Sequence, residues 1–306
     1  KHGKVEIMTD SNTVYSKTVD SKVSATTDLG CTDIRWDLSD LYNGIDDPKL
    51  MTDIQSVKDA AKIFEQRYKT KITSLSTEEL KDAYLEMENF LTPLYKAGQF
   101  VSLSLTTNTA DNKIKALQAK IDEEESEISN MLVFFDLECG GMSETDFKSH
   151  YQDPSFQNYA YSLKRSVETA SYNLTEPEEK MVNIKDMTGS DAFKKLYEEY
   201  VSSFEFEFEL DGKKQTMNGS QLRSLRTHED KDVRRRAMKT FFSRYEQDEL
   251  IFSHIYNNVI KDYNLEKNLR NYPSAISKRN VGNDLTDETV QALHDVTTES
   301  LPLVHD

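Results

Sequence analysis

The sequence predicts a mainly α fold, a multi-helix array carrying one small β-hairpin near residues 204–217. Three observations lead there. Apolar residues recur at spacings of three and four through most of the chain after residue 34. Glycine and proline are scarce, 10 and 6 in 306 residues, which favours long helices over many turns. Strict two-residue alternation occurs in one place, and an Asp-Gly pair follows it at once. A chain of this length buries roughly three quarters of its unfolded surface, so folding needs no covalent staple. The 15 Tyr and 14 Phe supply a core.

The elements follow in order. Residues 1–33 are rich in Ser, Thr, Asp and Val without helical period, and read as a flexible N-terminal arm with a short edge strand around Thr13–Val19. Order begins near Trp36, whose Leu38–Leu41–Tyr42 neighbourhood reads as a structural anchor with Asp37 or Ser39 as caps. Ile54, Val57, Ala61, Phe64 and Tyr68 lie on one face of a first helix. Leu80, Tyr84, Met87, Leu91 and Leu94 repeat the pattern behind a Ser76–Glu79 capping box. A third stripe, Ile114, Leu117, Ile121, Ile128, Leu132 and Phe135, is interrupted by the acidic run Asp122–Glu127 and ends at Gly140-Gly141. Further helices are expected around 144–150 and 155–171, and another opens at Thr175-Glu176-Pro177-Glu178.

Phe204, Phe206, Phe208 and Leu210 then alternate with Glu205, Glu207 and Glu209 before Asp211-Gly212, the signature of a hairpin returning through Lys213–Met217. Ser220 is expected to cap a short helix. The longest helical pattern spans about 231–268 with Val233, Ala237, Phe241, Phe252, Ile255 and Val259 on its apolar face. Its start carries six cations, Lys231, Arg234, Arg235, Arg236, Lys239 and Arg244, against Asp232. In so acidic a chain these are expected to pair with neighbouring acidic helices. Tyr272-Pro273 breaks the pattern, and a last helix runs from about Thr286 to Ser300. The organisation reads as an arm over 1–33, a helical domain over 34–202, and the hairpin with its long helix over 203–306.

Charge and motifs exclude several functions. Lys and Arg number 38 against 54 Asp and Glu, a formal charge of −16, the wrong sign for nucleic acid. Cys31 and Cys139 form no CxxC pair. No apolar run approaches the length of a membrane span, and KHGKVEIM lacks the apolar centre of a signal peptide, so a cytoplasmic protein is expected. Phosphate-binding glycine fingerprints and a GxSxG elbow are absent, and none of the six histidines begins an HExxH. The motifs alone mark no catalytic or metal-binding residue.

Three segments taken together resemble the oligoendopeptidase F family, the zinc peptidases related to thimet oligopeptidase. They are Trp36-Asp37-Leu38-Ser39-Asp40-Leu41-Tyr42, then Met187–Phe193 with Leu196-Tyr197 on to the Phe hairpin and Asp232-Val233-Arg234, and finally Tyr272-Pro273-Ser274-Ala275 with Leu301–His305. The resemblance implies half of a two-sided channel peptidase that hydrolyses short peptides. In that family an HExxH helix and a later Glu hold zinc, and the motif Glu acts as base on the zinc water. No residue here matches those ligands, so zinc is expected in the full-length parent and none on this chain. The uncapped Leu301–Asp306 end reads as a truncation. The partners implied are short peptides and the missing C-terminal half, with no nucleic acid and no membrane. Lys278, Arg279, Asn280 and Asn283 are the channel-facing candidates, as donors to peptide carbonyls from an expected loop after Ala275. A helical interaction module without a catalytic half, or an inactive relative, are the rival readings.

Overall fold

The computed structural model describes residues 36–305. These gather into two compact units, 36–68 with 82–131, and 69–81 with 132–305. The arm over 1–33, its Thr13–Val19 strand and Cys31 lie outside the described residues.

In the first unit, α1 (Pro48–Tyr68) buries Ile54, Val57, Ala61 and Phe64 of the expected stripe, with Leu50 added and Tyr68 only half-buried. Phe64 meets Phe90 of α2 (Thr77–Thr107) edge-on, with ring centroids 5.5 Å apart. Lys58 of α1 reaches Glu124 at 2.9 Å and Glu127 at 2.5 Å on α3 (Asn112–Gly140). The acidic run therefore does not interrupt α3; it is a helical surface whose charge Lys58 partly neutralises. Within the cluster expected to anchor the start, Tyr42, 2% exposed, does the anchoring, while Trp36 is 53% exposed. Its hydroxyl donates to Asp53 Oδ2 at 3.0 Å, and its ring packs against Phe100.

The second unit begins with the capping box expected at Ser76, whose N–H donates to Glu79 Oε2 at 2.8 Å. It continues through the last turns of α3, α4 (Glu144–Tyr151), α5 (Gln157–Thr169), α6 (Glu176–Asp186) and α7 (Ser190–Ser202). Gly140 ends α3 where a side chain would collide: an added Cβ would lie 2.8 Å from the Ser166 carbonyl and 3.0 Å from Ala170 Cβ. α6 starts with the capping box read from Thr175 and Glu178.

The hairpin joins β1 (Glu205–Leu210) to β2 (Lys213–Asn218) with Phe206 opposite Met217 and Glu209 opposite Lys214. Asp211 and Gly212 take φ of 53° and 73°, the left-handed pair that a two-residue hairpin turn requires. This is the only sheet among the described residues. Phe204, Phe206 and Phe208 form a core with Met217, Leu222 of α8 (Gly219–Ser224), and Val233 and Ala237 of α9 (Lys231–Gln247).

Three expectations change here. The cap of α8 is Asn218, not Ser220: Gln221 N–H donates to Asn218 Oδ1 at 2.9 Å, and Asn218 N–H to Gln221 Oε1 at 2.9 Å. The long helix is two helices, α9 and α10 (Glu249–Leu269), broken at Asp248. In one straight helix Tyr245 and Phe252 would be offset by about 10 Å along the axis. The break stacks their rings 4.9 Å apart, and both pack on Phe204. Finally, the α9 cations do not pair with neighbouring acidic helices. Arg234 donates to the His228 and Glu229 carbonyls at 2.6 and 2.8 Å, and Arg235 and Arg236 hold Asp232 of their own helix. Arg244 pairs with Asp248 while its guanidinium covers the Phe204 ring at 3.9 Å, a cation–π contact that closes the aromatic core.

Candidate functional site

α10 ends in a turn where Asn271 takes φ 58° and Tyr272 stacks on Tyr172, centroids 4.0 Å apart. Ser274 then caps α11 (Ala275–Gly282) by accepting from Ser277 N–H at 3.0 Å. The loop expected to carry the peptide donors is therefore mostly a helix, because Ser274 supplies a cap after the Pro273 break.

The four candidates part ways on it. Lys278 is committed inward, ion-paired to Glu266 with its Nζ 4.6 Å from the centre of the Tyr263 ring. Asn280 is buried, and its Nδ2 donates to Asp287 Oδ1 at 2.8 Å, tying α11 to α12 (Asp287–Ser300). Arg279 is exposed on α11, and Asn283, the exposed C-cap, donates its N–H to the Arg279 carbonyl at 2.9 Å. Two of the four thus present side chains to solvent and two hold the helix in place. Beside them an open groove of about 690 Å³ is lined by Ile276, Asn280, Glu288, Gln291, His294 and Asp295. Counting Asp287, which also lines it, it offers three exposed carboxylates, the Asn280 and Gln291 amides and an imidazole, a surface suited to hydrogen-bonding and cationic groups.

Behind this surface runs a partly buried charge chain. Arg270 holds Glu179 of α6 through two hydrogen bonds of 2.6 and 2.8 Å, and Glu266 through a third of 2.8 Å. Burial pushes the Glu179 and Glu266 carboxyls up. The bonds from Arg270, from Leu174 N–H to Glu179 and from Lys278 to Glu266 outweigh it, so both end below the usual carboxylate range. The Glu179 bonds raise Arg270. The four-residue step from Glu266 to Arg270 was readable as a helical pair. Glu179 was not, because 91 residues separate it from Arg270.

No group of three or more His, Cys, Asp or Glu side chains among the described residues is arranged to hold a metal ion. His150 is buried against Thr77 Oγ1 at 2.9 Å, and His228 accepts from Asp230 N–H at 3.0 Å. The described residues do not fit a zinc site, so no catalytic step is derived from them.

Residues 139–206, from the end of α3 into β1, match the family model described as Oligopeptidase F. Group B oligopeptidase PepB of Streptococcus agalactiae is 22% identical over 240 residues, covering 76% of this chain and 39% of its own length. This chain is thus similar to members of the oligoendopeptidase F family. An oligoendopeptidase F homolog of Borreliella burgdorferi is also 22% identical, over 282 residues, covering 89% of this chain and 45% of its own. The fold agrees with that of an oligoendopeptidase F crystal structure from Enterococcus faecium, at TM-score 0.68 and 20% identity over 84% of this chain and 51% of that one. A second solved structure, from Chlamydophila abortus, gives 0.56 at 15% identity, covering 88% and 45%. The chain thus spans about half, or less, of the length of each of these relatives.

Proposed function

We propose that this chain forms the N-terminal, substrate-channel part of a zinc-dependent oligopeptide endopeptidase of the cytoplasm. Peptide-bond hydrolysis by zinc-activated water resides in a C-terminal half that the present residues do not include. The observation that carries this reading is the coverage. Relatives bearing oligopeptidase names match most of this chain with less than half of their own length. The exposed apolar residues of the last helices agree with it: Leu250 on α10, Leu293 on α12 and Leu303 on α13 (Pro302–His305) are 78%, 68% and 84% exposed. Such side chains suit a face that a further domain covers. Short peptides are the substrate in this reading, with Arg279 and Asn283 as the donors open to peptide carbonyls. Neither nucleic acid nor membrane is a partner. No helix among the described residues is long and apolar enough to cross a membrane.

The test is to read the coding sequence past Asp306 and express the longer product. An HExxH downstream, zinc-dependent cleavage of a fluorogenic peptide by the longer product, and neither cleavage nor stoichiometric zinc in the 306 residues alone would support the proposal. A stop codon directly after Asp306, or zinc and peptidase activity in the 306-residue chain, would overturn it.

A further inference from the structure

After α10 no apolar side chain among the described residues is buried. α11 buries only Ser277 and Asn280, and α12 buries no residue at all. Those two polar side chains are used internally: Ser277 Oγ donates to Asp287 Oδ2 at 2.7 Å, and Asn280 Nδ2 to Asp287 Oδ1 at 2.8 Å. The Leu285 N–H closes the connecting turn on the Asn280 carbonyl at 2.9 Å. α11 and the start of α12 therefore form one stapled pair.

What ties the pair to its surroundings is polar. Next to the entry turn, Tyr263 Oη donates to the Ala275 carbonyl at 2.5 Å, and Lys278 pairs with Glu266. At the far end of α11, Arg165 of α5 donates to the Val281 carbonyl at 2.6 Å and lies 3.3 Å from Asp284 Oδ1, while Tyr161 Oη donates to Asp284 Oδ2. The chain enters through one short turn, with Asn271 left-handed and Pro273 behind it. An element docked by apolar burial opens only with its core, whereas one docked by a few partly exposed polar contacts opens on its own. Contacts beside a pivot barely move when the element swings. Those at its far end must break.

We propose that α11 and α12 form a hinged arm that pivots about residues 271–274 and is latched to α5 by Arg165 and Tyr161 on Asp284. Hinges of this kind are a few residues at an element's end that absorb the backbone change. The Arg165–Asp284 pair is partly exposed, so added salt weakens the latch.

The experiment places spin labels at Ser162 on α5 and Glu299 on α12 of the 306-residue chain, with Cys31→Ser leaving only the buried Cys139. The distance distribution is then measured by pulsed dipolar spectroscopy. We expect one narrow distance at low salt, about doubled in width by Arg165→Gln, by Asp284→Asn and by about 1 M salt, with far-UV dichroism unchanged. Asn tolerates the left-handed backbone of position 284, so Asp284→Asn alone decides if Arg165→Gln fails to fold. An unchanged narrow distance in Asp284→Asn, or a parent distribution as broad as the variant's at low salt, would overturn the latch.

Discussion

Arg270 grips Glu179 through both oxygens of its carboxylate, Nη1 to Oε1 at 2.6 Å and Nη2 to Oε2 at 2.8 Å, joining the end of α10 to the first turn of α6. Both side chains are mostly buried, at 14% and 10% exposure. Removing one partner leaves the other charge desolvated and alone, which costs about 3–5 kcal/mol. Arg270→Ala is therefore expected to lower the urea midpoint sharply, and Arg270→Lys to recover only part of it, because an ammonium cannot bridge both oxygens.

The same pair sets an acid limit. Glu179 titrates lower in the folded chain than its ordinary value of 4.5: burial works against this shift, and the Arg270 bonds overcome it. Its contribution is complete above that value and fades as pH falls through the lower folded one. Denaturation midpoints measured between pH 6 and pH 3 should fall less steeply in Glu179→Gln than in the parent chain. Parallel curves would count against the pair as the source.

His150 acts at higher pH. Burial lowers its pKa from 6.5, opposed by Asp146 and Asp153, so the folded chain holds the neutral ring. Between 6.5 and the lower folded value the unfolded chain binds the extra proton, and stability falls as pH falls. His150→Gln should flatten the stability profile between pH 7.5 and pH 5.5, read from urea midpoints.

Gly140 is required by space, since its φ is not positive. Gly140→Ala would press a methyl group against the Ser166 carbonyl, 2.8 Å away, and overpacking of this kind costs about 1–3 kcal/mol. Thermal denaturation should show the loss, while Gly141→Ala, whose nearest contacts are 3.5 Å, should change less.

The cap of α8 separates two similar polar residues. Asn218→Ala removes the acceptor for Gln221 N–H and should cost about 1 kcal/mol, whereas Ser220→Ala should fall within measurement error. Equal effects from the two would mean that the cap is misassigned.

Much of this was legible beforehand. The 3–4 spacing of Ile54, Val57, Ala61 and Phe64 named the buried face of α1, and the Phe–Glu alternation into Asp211-Gly212 named the hairpin and its turn. Those signals are local, written in residues a few positions apart. The break at Asp248 was not legible, since the aromatic stacking that rewards it involves Phe204, more than forty residues earlier. For the same reason the α9 arginines were assigned the wrong partners: they hold backbone carbonyls, ring faces, and the nearby Asp232 and Asp248 rather than other acidic helices. At the candidate site, composition identified donors but not their direction. Lys278 and Asn280 turn inward because Glu266 and Asp287 wait there.

The uncovered leucines and valines of α12 and α13 also govern how this chain behaves in a test tube. At a formal charge of −16, copies bearing such side chains repel one another. That repulsion vanishes near the isoelectric point of about 4.9 and is screened by salt. Light scattering should therefore rise as a solution is brought toward that pH or made concentrated in salt, which makes these exposed side chains a colloidal liability.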